Sequence, residues 1–175
     1  MNMPLGESHY VISLEEVFWG GTLLSITMAL HGLGMIAILR VNGSLNHRFQ
    51  AKPSFRSGLL ILILTSWLIM VTHLIEVIVW ALFFYWKDAF PNQSVAYYFA
   101  LNEYTTVGSN YNLPLHWRLL EGMIATAGLL TFAWSTGVLL TLAQDFQAQQ
   151  MELLKQKRAH QKGHTEIQHH GKTHG

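Results

Sequence analysis

Three long apolar stretches decide what this chain can become. They run from about Val17 to Leu39, from Gly58 to Trp86 and from Leu119 to Leu142. Each reaches the roughly 20 residues needed to cross a bilayer. Arg40 closes the first, Lys87-Asp88 the second and Gln144-Asp145 the third. Lipid offers no partner to a backbone N–H or C=O, so each stretch is expected to be helical. The second exceeds what the bilayer requires, which predicts a tilted helix or one that runs on beyond the lipid. Composition agrees, because only 12% of the 175 residues are charged, about half the share in a soluble domain. A formal charge of +1 gives no argument for a nucleic-acid partner. The absence of cysteine removes disulfides and thiolate metal sites from consideration.

Basic residues give an orientation. Arg40, Arg48, Lys52 and Arg56 lie between the first two stretches, and Lys155, Lys157, Arg158, Lys162 and Lys172 follow the third. Residues 1–16 carry Glu7, Glu15 and Glu16 but no Lys or Arg, and so lack the basic start of a secretory signal. The positive-inside rule then puts the first connection and the C-terminus in the cytoplasm. The N-terminus and the second connection fall outside, as expected of a multi-pass protein of the inner (plasma) membrane. Phe83, Phe84, Tyr85 and Trp86 are expected at the outer interface, which favours aromatic rings.

The second connection is mixed in character. Residues 95–101, Val-Ala-Tyr-Tyr-Phe-Ala-Leu, are apolar but too few to cross, and the polar stretch from Thr105 to Asn110 follows. Such a run is either a re-entrant segment or an external helix lying on the surface. Within Asn92-Gln93-Ser94, Ser94 is expected to cap it.

Thr105-Thr106-Val107-Gly108 resembles the start of a potassium-channel selectivity filter. The aromatic run Tyr97-Tyr98-Phe99 precedes it, and Pro114, Trp117-Arg118 and a glycine-bearing helix follow. His73, Glu76, Trp80 and Ala81 in the second stretch, with Trp134-Ser135-Thr136 in the third, extend the likeness. Together they resemble small bacterial members of the two-transmembrane ion-channel family, over roughly residues 60–146. Taken with the three apolar stretches, the resemblance implies an all-α membrane protein with three transmembrane helices and a re-entrant pore helix and filter loop between the second and third, the first helix lying outside the two-helix core. Taken with hydropathy and charge, it divides the chain into an external arm (1–16), a first transmembrane helix (17–40), a cytoplasmic linker (41–57), a pore domain (58–146) and a His-rich cytoplasmic tail (147–175). It also implies a homotetramer that passively conducts a monovalent cation, K+ or Na+, with no cofactor and no catalysis.

The physical basis of such a filter is dehydration: rings of backbone carbonyls replace the water shell of the ion. Thr106 would offer a hydroxyl and a carbonyl, Val107 and Gly108 carbonyls, and Gly108 permits dihedrals that a side chain resists. The family pattern continues Gly-Tyr-Gly-Asp, whereas this chain has Gly108-Ser109-Asn110-Tyr111. Ser109 removes the bracing tyrosine. Asn110 replaces the second glycine but tolerates left-handed dihedrals. Tyr111 replaces the acid and supplies no charge. The inner coordinating positions are therefore kept and the outer ones altered, which fits a weakly selective pore or a channel-like subunit that does not conduct. Asn102, Glu103 and Tyr111 are expected to support the filter from Thr105 to Asn110.

Other residues carry open alternatives. His73 and Glu76 share one helix face inside a span. They read as a proton-sensitive latch on the pore helix, meeting Asn102 or Glu103, or as a buried pair that fixes packing. A zinc site would need a further ligand. His31 is a packing residue or, with His73, a haem ligand in an electron-transfer subunit. Gly128 is a gating hinge or a point of close helix approach. His169, His170 and His174 make the tail a metal-binding or simply solvated segment.

Overall fold

The computed structural model describes residues 10–49 and 55–171 and is helical almost throughout, with no strand among the described residues. Helix α1 spans Leu14–Phe49, α2 Phe55–Trp86, α3 Gln93–Tyr104 and α4 Leu119–Gly171, with a 3-10 turn at Leu115–Trp117. Three segments are long and apolar enough to cross a membrane, with mean hydropathies of 1.9 in α1, 2.2 in α2 and 1.6 for the turn and α4 together. The helices outrun the apolar stretches. At 1.5 Å per residue the 32 residues of α2 extend ~48 Å, against a hydrocarbon core of about 30 Å. Helix α1 begins before Val17 and continues past Arg40, so much of the expected linker is helix. Helix α4 continues through the tail to Gly171. The side chains of His169 and His170, and all of His174, lie outside the described residues.

The start of α1, the end of α2 and the start of α4 share one end of the bundle. Ser13 and Glu16 form a capping box there: Glu16 N–H donates to Ser13 Oγ at 3.1 Å and Ser13 N–H to Glu16 Oε2 at 3.0 Å. The same carboxylate accepts from Leu119 N–H at 3.1 Å, which ties α4 to α1 across the sequence. Lys87 closes this end, with Nζ 3.4 Å from Glu15 and 4.7, 4.9 and 5.1 Å from the rings of Trp19, Trp86 and Trp117. The aromatic run before it divides. Tyr85 and Trp86 are exposed, whereas Phe83 and Phe84 are core residues packed against Trp19, Trp117, Phe90 and Phe99. At the opposite end Phe55 meets Phe146.

Asn92, not Ser94, caps α3. It has the extended dihedrals a cap requires (φ −152°, ψ 160°) and accepts from Val95 N–H at 2.9 Å, while Ser94 already lies within the first turn. Helix α3 is wedged between α2 and α4, burying Ala96, Phe99, Ala100 and Tyr104. The wedge is tight where it ends: a Cβ on Gly128 would stand 1.9 Å from the Tyr104 carbonyl oxygen. Gly128 is nine residues into α4, roughly 14 Å from its start.

Candidate functional site

Two features converge where α3 ends. The first is a closed ring of buried polar side chains drawn from every long helix. Glu76 Oε1 lies 2.9 Å from His31 Nδ1, and Glu76 Oε2 accepts the Tyr104 hydroxyl. The Tyr104 oxygen lies 2.9 Å from His73 Nδ1. His73 Nε2 lies 3.0 Å from Ser135 Oγ, and Ser135 Oγ lies 3.3 Å from His31 Nε2. Thr131 Oγ1 adds a contact of 2.6 Å to the Tyr104 oxygen. One helical turn along, Trp80 Nε1 donates to Thr27 at 2.9 Å, a second polar rung between α1 and α2. Glu76 is fully buried ten residues before the end of α2, ~15 Å along the axis. No buried side-chain N or O atom among the described residues lacks a partner. That satisfaction explains how such groups persist at this depth, where an unpaired polar atom is heavily penalised.

The pairing differs from the one expected of His73 and Glu76. Neither Asn102 nor Glu103 reaches them. Asn102 Nδ2 donates to the Tyr98 carbonyl at 2.7 Å, and Glu103 accepts from Ser109. The neighbouring Tyr104 makes the contact. His31 is a full member of the ring. Its imidazole packs against that of His73 with centroids 5.2 Å apart, and both Nε2 atoms converge on one serine hydroxyl. His31, His73 and Glu76 also have the spacing of metal ligands, their candidate atoms all lying within 4.8 Å. Hydrogen bonds among the same groups occupy those atoms.

The second feature is the loop that leaves α3. Four consecutive N–H groups turn back on the helix end. Thr106 donates to Glu103 O at 3.0 Å, Val107 and Gly108 to Asn102 O at 2.9 and 3.3 Å, and Ser109 to Glu103 Oε1 at 3.0 Å. In a planar trans peptide the carbonyl points opposite to its N–H. The carbonyls of Thr105, Thr106, Val107 and Gly108 are therefore aimed away from α3. Thr106 (φ 61°) and Gly108 (φ 81°) are left-handed. For a β-branched residue this is strain, of order 1–3 kcal/mol, and such strain concentrates at functional sites. Val107 is 74% exposed.

The remaining predicted residues lie around the loop. Thr105 Oγ1 donates to the Leu101 carbonyl at 2.8 Å. Ser109 Oγ accepts from Tyr111 N–H at 3.1 Å, and the Tyr111 ring meets Phe90 and Tyr98. Asn110 is exposed. Burial raises the Glu103 carboxyl above the ordinary range, with the charge of Glu121 adding to this and the Ser109 N–H opposing it.

Fold and site together define an all-helical protein with three potential membrane spans, joined by a buried polar ring, with a strained loop beside it. Comparison with protein-family models, curated proteins and solved structures finds no match.

Proposed function

We propose that this chain is one subunit of a homotetrameric cation channel resembling the two-transmembrane potassium-channel-like family. In this reading α2 is the outer helix, α3 a re-entrant pore helix, residues 105–110 the filter and α4 the inner helix, while α1 packs outside the core. The observation that carries it is the run of four carbonyls from Thr105 to Gly108, aimed away from α3 by four consecutive N–H bonds. Gathered about an axis, such rows form the oxygen rings that dehydrate a cation. Depth supports the reading. Tyr104 meets Glu76 and Gly128, both about 14–15 Å inside their helices. An irregular backbone at that depth is tolerated where it lines a wet cavity. The C-terminal end of α3, with its partial negative charge, would face the same cavity and favour a cation.

The basic residues of the first connection and the tail support a plasma-membrane orientation with both of these in the cytoplasm. Lipid and three further copies of the chain are the partners, and a monovalent cation is the permeant species. Gly128 remains available as a bending point of the inner helix in this reading. The altered outer positions Ser109, Asn110 and Tyr111 favour weak selectivity, or a subunit that assembles without conducting.

Flux into proteoliposomes tests the proposal. The native protein should pass a monovalent cation and be blocked by barium. Gly108→Ala should assemble but not conduct, because a Cβ there meets open space yet resists φ 81°, by about 1–2 kcal/mol per chain. Native flux in that variant would refute the filter assignment.

A further inference from the structure

We propose that His31, His73, Glu76, Tyr104 and Ser135 form a proton-binding site that closes only when it holds one proton beyond a Glu76 carboxylate and two neutral imidazoles. The number of protons decides whether the ring closes. The ring contains five groups joined by five hydrogen bonds. Each bond needs one proton, so closure needs five. With Glu76 ionised and both imidazoles neutral, His31, His73, Tyr104 and Ser135 supply only four. A fifth is therefore bound, either on Glu76 or on one imidazole, and in both forms the ring is neutral. Thr131 fits this state by donating its own proton to the Tyr104 oxygen at 2.6 Å. Donation outward, to the carbonyls of Ala127 or Gly128 at 3.0 Å, would require a sixth proton and a net positive charge. A buried net charge is the costlier state.

Among the described residues, no other charged group balances the ring. The titratable residues facing it are His31 from α1, His73 and Glu76 from α2, and Tyr104 from α3. Helix α4 contributes only Ser135 and Thr131, with the rings of Phe132 and Trp134 against the imidazoles. Loss of the extra proton to solvent leaves four protons for five bonds and a charge of −1. Gain of another places a sixth proton in the Tyr104–Thr131 contact, with Thr131 turned outward, and leaves a buried charge of +1. Loss opens the ring, and gain burdens it with an unbalanced charge, so either change weakens it. Tyr104 is the last residue of α3, and residues 105–109 hang from that helix end by their N–H bonds. A weakened ring therefore loosens the loop. On the channel reading, this makes the filter proton-gated from within the membrane.

Glu76→Gln isolates the proton from the architecture. The amide offers one donor and one acceptor to the ring, so five protons are present with no charge and nothing extra to lose. The full chain in lipid nanodiscs would be followed by hydrogen exchange at the amides of residues 106–109, corrected for intrinsic rates, from about pH 4 to pH 10. The native protein should show protection that peaks and then falls at least about tenfold on both sides. Glu76→Gln should keep the protection and lose its fall on the alkaline side, while the two imidazoles retain the fall on the acid side. Infrared spectra should report a carboxyl or imidazole signal that titrates with the alkaline fall in the native protein and is absent from the variant over that range. A flat native profile, or a variant that follows the native curve on the alkaline side, would overturn the proposal. So would a stoichiometric transition metal in the native protein that Glu76→Gln releases. None of these readouts requires ion flux. A peaked profile without conduction would fail the channel reading alone, and conduction with a flat profile would fail this inference alone.

Discussion

Tyr104→Phe removes one oxygen from the centre of the molecule and leaves the ring that packs against His73 and Phe132. Three groups lose a partner: Glu76 Oε2, His73 Nδ1 and Thr131 Oγ1. Thr131 recovers by turning to the Ala127 and Gly128 carbonyls at 3.0 Å. His73 Nδ1 recovers in part, because Glu76 Oε2 lies 3.5 Å away. Glu76 keeps His31 on its other oxygen. Leaving a buried polar group without a partner costs about 1–3 kcal/mol, so one and a half such losses give about 2–4 kcal/mol. At about 1.4 kcal/mol per tenfold, undocking of α3 should become about 30- to 1,000-fold more frequent. Hydrogen exchange in lipid nanodiscs reads this directly. Protection of the amides of residues 98–104 should fall by that factor, while α1 and the buried half of α2 hold. Exchange in α3 within about threefold of the native protein would mean that the hydroxyl does not hold α3 in place.

Two further substitutions probe neighbouring parts. Gly128→Ala places a methyl 1.9 Å from a backbone carbonyl that cannot swing aside. It should cost about 3 kcal/mol or more and lower the thermal midpoint, whereas Gly122→Ala, in open space, should not; equal midpoints would show that the wedge is loose. Ser109→Tyr combined with Asn110→Gly restores the residues of the resembling filter and should shift the permeability ratio towards potassium. An unchanged ratio would count against the explanation given for the weak outer sites.

The three long apolar helices were legible because a bilayer imposes its demand locally: α2 ends at Trp86, where Lys87-Asp88 closes the apolar run. The ring was only half legible. His73 and Glu76 stand out because three residues on a helix bring them together inside an apolar run. Their partners are 28 to 62 residues away along the chain, and nothing local names them. A signal was nevertheless present. Thr27 and His31, and Thr131 and Ser135, are polar pairs four apart within otherwise apolar stretches, and all four are buried. Each span thus carries a polar pair on one helix face. Such pairs find partners more readily in one another than in lipid. Tyr104 was hidden by its neighbours, because Asn102 and Glu103 look more polar and only the end of α3 decides which side chain faces inward. The exchange of Asn92 for Ser94 as the cap is of the same kind, since cap geometry fixes the choice and composition does not.

A density map of the assembled protein in lipid, recorded with thallium as the cation, would show the proposed pore itself. Four copies should gather about one axis, with cation density on that axis level with the carbonyls of Thr106, Val107 and Gly108. A loop lying flat against the membrane surface, or an assembly of any other number, would contradict it.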